Sequence, residues 1–440
     1  MTQDSPARRP GQASRRGFLA GSAGVVALGL AACSSDPKAA VKTSSATGAA
    51  TDSGGSGAVA ATGGDVAFDV MNAGGTMGWH GMAVLGVGQS NKVFIVDAQS
   101  HKVVTAITNE GAFHERTDPS KYPNLRDSHA IVFTKDFKRM FTASAFTYGV
   151  STVIEYDPLT LREVGRVDAG VGSHHIALTP DDKYLYVANQ YGSDLSVIDI
   201  KSMKKIGSIP VGAGPDYISP SMYWDGKAID SPYMFVTVDG AKTLAVVDWK
   251  TNKVVKQIPM PATAHGVNLT PDGKSVWLAG LAFKEVWVLD VKTLQITKKL
   301  PIPGSPIHIS ISPDSQFAYI TTSDNSIYKV ATSNYQTLWS AKGTVIPAHT
   351  GLSPDGKELW TLNHGMDTSR YPFLLGGQPV EGVQIWDTSN GKLINEIPME
   401  AMPHEIQFVP YSAFGVPTPK QDISNGGSTA ASSATTKPGT

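Results

Sequence analysis

A unit of four short alternating stretches recurs along this chain. One copy, "HIALTPDDKYLYVANQYGSDLSVIDIKSMKKIGSIPVG", begins at His175. Others are "HGVNLTPDGKSVWLAGLAFKEVWVLDVKTLQITKKLPI" from His265 and "HISISPDSQFAYITTSDNSIYKVATSNYQTLWSA" from His308. Each contains four short stretches in which apolar and polar residues alternate, separated by Pro-Asp-Gly-type turns, Asn and Ser. Alternation with period two and this punctuation means antiparallel strands, here called A to D. A unit of about 40–50 residues with four strands cannot bury its own faces and must stack on copies of itself, which describes one blade of a propeller. The A strands begin near His129, His175, Asp216, His265, His308, His349 and His404. The last of these seven starts has no B to D strands after it, and the first repeat, Gly81–Ile107, has no A strand before it. The two fragments complete one another. The expected fold is all-β, a seven-bladed β-propeller closed by the C-terminal strand in the first blade, which leaves only short outer edges unpaired.

The stretch Pro180–Gly212, "PDDKYLYVANQYGSDLSVIDIKSMKKIGSIPVG", resembles the YVTN family of β-propeller repeats. The resemblance covers nearly all of the repeat region. It is strong in the third and fifth blades. It weakens in the fourth, which carries the insertion "SPSMYWDGKAIDSPYMFVTVDG", and in the seventh, interrupted by "MDTSRYPFLLGGQPVEG". The wider group it implies includes the haem-d domain of cytochrome cd-type nitrite reductase, the copper propeller of nitrous oxide reductase, the heavy chain of methylamine dehydrogenase and various lactonases. Membership of a fold does not choose among such activities.

The flanks read differently. "SRRGFLA" (Ser14–Ala20) leads into the apolar "AGSAGVVALGLAA" and then Cys33, the one cysteine in 440 residues. A charged start, a short apolar run and small residues before a cleavage point describe an export signal too short to span a membrane. Arg15 and Arg16 resemble the twin-arginine (Tat) motif of proteins exported folded, and "LAAC" (Leu30–Cys33) resembles a bacterial lipobox, which implies lipidation of Cys33. The expected organisation is a signal peptide over 1–33, an Ala/Gly/Ser/Thr tether over 34–64, the propeller over 65–415 and a disordered tail over 416–440. The expected location is the outer face of the bacterial cell membrane, with the membrane as a partner through a lipid anchor and the propeller monomeric. A formal net charge of −1 without any basic stripe gives no footprint for nucleic acid. With one cysteine there is no internal disulfide, no thiolate metal site and no covalent c-type haem.

The candidate site comes from the histidines, eleven in all. His129, the pair His174/His175, His265, His308, His349 and His404 stand at A-strand starts, and Asp216 takes that place in the remaining blade. A strands line the channel and start on one face. The ends of B strands, Asn189-Gln190 and Asn363-His364, return to that face. The long loop "NEGAFHERTDPSKYPNLRDSH", with His114, Glu115, Arg116 and Asp127, enters there too and exceeds the usual loop length, as a lid would. His80 and His101 fall elsewhere. Counting back from the turn proline or its equivalent separates two registers. His129, His174, His265 and His404 lie six residues before it; His175, His308 and His349 lie five before. Strand alternation sends neighbours to opposite sides. The sharper expectation is therefore a site of His129, His174, His265 and His404, with His175 structural. The second set joins only if the strand starts are bulged.

Three readings of the histidines stand side by side. The repeat can favour an imidazole at each blade start for a loop hydrogen bond, on a propeller that is a binding platform for a partner protein or envelope polymer. The mouth can bind a transition metal (Cu, Zn or Fe) or a metallocofactor, since imidazole is a ligand common to all three; redox work would then need an external electron donor. Or one or two histidines with a carboxylate (Asp216, Glu115 or Glu405) can do acid–base work as in propeller lyases and lactonases. Trp79, His80 and Met82 read as core packing; Tyr217 and Trp224 can floor a ligand pocket or pack at the rim, and rim packing is the commoner role of such residues.

Overall fold

The structure is a computed structural model, and it describes residues 79–87, 92–108, 128–143, 150–220, 229–364, 382–399 and 403–417. The leader with Arg15, Arg16 and Cys33, the tether, and the tail from 418 lie outside the described residues, as do His114, Glu115, Arg116, Asp127 and Trp224. Among the described residues no helix is long and apolar enough to cross a membrane.

The strands form seven separate four-stranded antiparallel sheets, as the repeat count requires. Six are built from consecutive strands. In the first blade the order is Pro403–Pro410, Gly81–Val87, Lys92–Asp97 and Lys102–Thr108. The C-terminal strand thus supplies the missing inner strand, with Phe408 opposite Ala83 and Ile406 opposite Leu85. A short 3-10 turn, Tyr411–Phe414, follows, and its Tyr411 hydroxyl donates to buried Asp97 at 2.5 Å.

Inner strands such as Ser173–Leu178 and Pro306–Ile311 are buried at every position. In a ring each sheet has a neighbour on both sides, so alternation sorts residues between left and right neighbours rather than between core and solvent. In Gly81–Val87, Met82 and Val84 pack into the layer shared with blade 2, and Ala83 and Leu85 into the layer shared with blade 7. Seven apolar clusters result, one between each adjacent pair of blades.

The A–B turns explain the Thr/Ser-Pro-Asp signature. Thr179 Oγ1 donates to Asp181 Oδ1, which accepts the Lys183 N–H, and the same hydroxyl accepts the Tyr184 N–H. Thr270–Asp272, Ser312–Asp314 and Ser353–Asp355 repeat the first of these bonds. The residue after the aspartate is left-handed, with φ of 71° at Gly273 and 70° at Gly356, where glycine avoids a Cβ clash.

The A-strand starts are irregular. Register breaks fall between Ser173 and Ile176, Pro215 and Ile218, Pro306 and His308, Pro347 and His349, and between Pro403 and Glu405 where they face Val87 and Gly86. Each is a bulge, which inserts a residue and re-aims side chains.

Closure makes a stability prediction. Phe408 is 4% exposed and meets Trp79 and Trp360 edge-on at 5.9 and 5.4 Å. Phe408→Ala should cost about 3–5 kcal/mol in denaturant unfolding, whereas Val103→Ala on an exposed outer strand should stay within about 0.5 kcal/mol. Equal effects would contradict a ring held by its closing strand.

Candidate metal centre

The bulges bring both histidine registers into one space. His129, His174, His175 and His404 form a fully buried group whose ligand nitrogens all lie within 4.8 Å of one another. The six ring-centroid separations among them run from 3.2 Å (His129–His404) to 5.5 Å. A tetrahedral ion with bonds of 2.0–2.1 Å sets its ligand nitrogens about 3.3 Å apart, so the group is of the right size with a small contraction. His349 packs on His404 at 3.7 Å and links to His308 at 5.1 Å and to His265 at 5.4 Å.

The group mixes the two registers, the outcome expected where the strand starts are bulged. His175, expected to be structural, is in the four-imidazole group, and His265 stands beside it, 6.4 Å from His174 and 6.5 Å from His175. The cause is the bulge over Ser173–Ile176, which lets adjacent residues face the same channel.

Carboxylates hold two of the rings from behind. His174 Nδ1 contacts Asp216 Oδ1, with both side chains buried. His175 Nδ1 lies 3.1 Å from Glu405 Oε2. Where Nδ1–H donates to an ionised carboxylate, as His174 does to Asp216, the tautomer is fixed and Nε2 is left as the ligand atom; Glu405 takes that role toward His175 once it is ionised. Gln190 Nε2 also reaches Asp216, at 3.4 Å. His265 Nδ1–H donates to the Ile307 carbonyl at 3.2 Å, and its Nε2 sits 3.9 Å from Asp216 Oδ2. His308 has both nitrogens engaged, one by the Tyr217 hydroxyl at 2.6 Å and one by Thr350 Oγ1 at 2.9 Å.

The remaining candidates are not among the ligands of the four-imidazole group. Asn189 Nδ2 turns to Asp194 and Ser196 of its own blade. Asn363 is buried. His364 ends the strand Glu358–His364, and its side chain is outside the described residues. His101 pairs with Glu358 at 3.0 Å in a turn between strands of blade 1, and Met82 is core. Tyr217, weighed as a pocket floor or as rim packing, is 6% exposed and packs on His175 with centroids 3.8 Å apart. Asp239, just past the strand Tyr233–Val238, is a group that the sequence reading missed; among the described residues one of its carboxylate oxygens is buried with no hydrogen-bond partner. Tyr217 is signalled by its place beside Asp216 at an A-strand start; Asp239 carries no such signal.

Burial dominates the electrostatics. It drives His175 well below its ordinary 6.5, helped by the neighbouring imidazoles His174, His129, His265 and His308. His265 is lowered by burial against the opposing pull of Asp216, and His308 is pushed down to about 3. Burial lifts Glu405 to about 8 and, with the charge on Asp216, lifts Asp239 well above its usual range. Asp216 runs the other way: burial works to raise it, but His174 and His265 together bring it below 3.8. His175, His265 and His308 are thus held toward the neutral form, the one that binds metals.

Residues 167–274 match a family model described as a YNCE-like beta-propeller. The chain is a seven-bladed β-propeller with a YNCE-like segment. Among solved structures, the propeller is similar to a functionally unknown protein from Desulfotomaculum acetoxidans DSM 771, with TM-score 0.59 and 12% identity over 75% of this chain and 99% of that one. It is also similar to Kuenenia stuttgartiensis hydrazine synthase, with TM-score 0.53 and 18% identity over 68% of this chain and 90% of that one. At these identities the likeness shows the fold alone. No curated protein sequence matches the chain.

The pKa directions set a pH profile for metal-free protein. Lowered histidines give stability that is complete above the ordinary 6.5 and is lost as pH falls toward their folded values. Raised Glu405 gives stability present below 4.5 and lost as pH climbs toward about 8. Between pH 4.5 and 6.5 the two oppose, and from 6.5 to 8 the carboxylic acids act alone. The melting temperature should therefore fall from pH 6.5 to 8, and Glu405→Gln should flatten that limb. A rise over this range, or the same slope in the variant, would contradict the assignment.

Proposed function

We propose that this chain is an exported, lipid-anchored propeller whose mouth holds a transition-metal ion on His129, His174, His175 and His404. The observation that carries the reading is the buried four-imidazole group with carboxylates behind two of its rings. Imidazole-only donors without thiolate suit Cu, Zn or Fe, and the general affinity order places copper first. Carboxylate–histidine pairs of this kind orient ligands and raise their basicity. Four protein nitrogens fill a tetrahedral ion, whereas catalytic zinc keeps a position open for water. The arrangement therefore favours holding an ion or exchanging electrons over metal-assisted hydrolysis, and it weighs against the lyase and lactonase readings. The leader, with Arg15, Arg16 and Cys33, supports export in the folded state and anchoring outside the membrane. An electron-exchanging ion there would need an external donor protein.

Elemental analysis of the natively exported protein, followed by titration of the stripped protein with copper and zinc, tests this reading. The expected result is one tightly held ion per chain. His129→Gln combined with His404→Gln should abolish it, and Asp216→Asn should weaken affinity about 10–100-fold while the protein stays folded. A folded wild type that takes up no Cu, Zn or Fe would overturn the proposal.

A further inference from the structure

A phenol is built into the imidazole cluster in a way that metal ligation does not require. Tyr217 leaves the inner strand of blade 4, Pro215–Ser219, at its bulge and lies between His175 and His308. Its hydroxyl heads a chain of hydrogen bonds with one consistent direction. Ser310 Oγ–H donates to the Thr350 carbonyl at 3.2 Å. The Thr350 hydroxyl then donates to Ser310 Oγ at 2.6 Å and accepts the Nδ1–H of His308 at 2.9 Å. His308 Nε2 is left with its lone pair, and it accepts the Tyr217 O–H at 2.6 Å. A neutral imidazole aimed at a buried phenol is thus locked in place from its far side.

The ring of Tyr217 has a separate contact. It packs on His175 with centroids 3.8 Å apart and planes inclined by 37°. Proton and electron therefore have different exits, the proton through the hydroxyl and the electron through the ring face. A phenol that loses an electron becomes a very strong acid, and in a buried site the loss is practicable only if a base already touches the O–H.

We propose that Tyr217 is an oxidisable tyrosine. A high-potential one-electron oxidant removes one electron from the phenol, the O–H bond breaks, and the proton passes to His308 Nε2. The products are a neutral phenoxyl radical, an imidazolium at His308 and the oxidant reduced by one electron. Return of the electron and the proton restores the pair. The hydrogen-bonded pair is complete without a metal. Its contact with His175 makes it an electron relay for an ion bound there, and that second part rests on the metal reading above.

The test uses the full chain, stripped of metal and in parallel loaded with diamagnetic zinc, treated with hexachloroiridate(IV) and freeze-quenched for EPR. The chain has 14 tyrosines, so assignment rests on variants and on lifetime. The expected result is a tyrosyl signal that outlives those of exposed tyrosines and shows a strong solvent-exchangeable proton coupling. Tyr217→Phe should remove it. His308→Gln should lower its yield several-fold and remove the exchangeable coupling, and Thr350→Val, which frees the far side of His308, should shorten its lifetime. Melting curves of all three variants establish that the propeller is intact. No long-lived radical in the wild type, the same radical in Tyr217→Phe, or an unchanged yield and coupling in His308→Gln would each overturn the proposal. Failure of the metal reading would show instead as absent metal uptake, with the radical still formed in stripped protein.

Discussion

Each sheet in this ring is covered on both faces by other sheets, and that mutual cover is possible only if the ring closes. The closing contact is the C-terminal strand, whose Ile406, Phe408 and Val409 enter the apolar layers on either side of blade 1. Were it absent, blade 1 would lose its inner strand and two of the seven layers would open to water. The same closure gathers the mouth. Seven inner strands that start on one face around one axis bring one position of a repeated unit to one place. A single preference in the repeat is thereby turned into a crowd of imidazoles.

Such a crowd has an electrostatic consequence. Burial and the repulsion of neighbouring rings disfavour a proton on His175, His265 and His308. Neutral imidazoles offer a lone pair to a cation. Asp216 and Glu405 stand behind His174 and His175 and, when both are ionised, balance a divalent ion. In the metal-free state burial keeps Glu405 protonated up to about pH 8. A proton and a metal ion are therefore alternative ways of meeting the same charge requirement.

Much of this was legible in the repeat. Strand number, blade number and the closing strand followed from alternation and from two fragments that complete each other. The gathering of His129, His174, His265, His308, His349, His404 and Asp216 followed from their shared place at A-strand starts. The composition of the central group did not. Counting residues back from the turn assumes an unbroken pleat, and bulges at the strand starts break it, so His175 joined the group and His265 moved to its side. The role of Tyr217 stays open in the sequence for a related reason. An aromatic residue in a strand next to an insertion looks like packing, and only the fold places it between His175 and His308. The carboxyl of Glu405 was weighed as an acid–base group, but its pairing with His175 spans 230 positions and left no mark in local sequence.

Anomalous diffraction at the copper and zinc edges, from crystals of protein isolated from its native host, reads the proposed metal centre directly. A metal ion there gives a peak bounded by His129, His174, His175 and His404, with nitrogen ligands at about 2.0 Å. An empty mouth, with the four rings as far apart as here, or a peak held by other residues, would contradict the proposal.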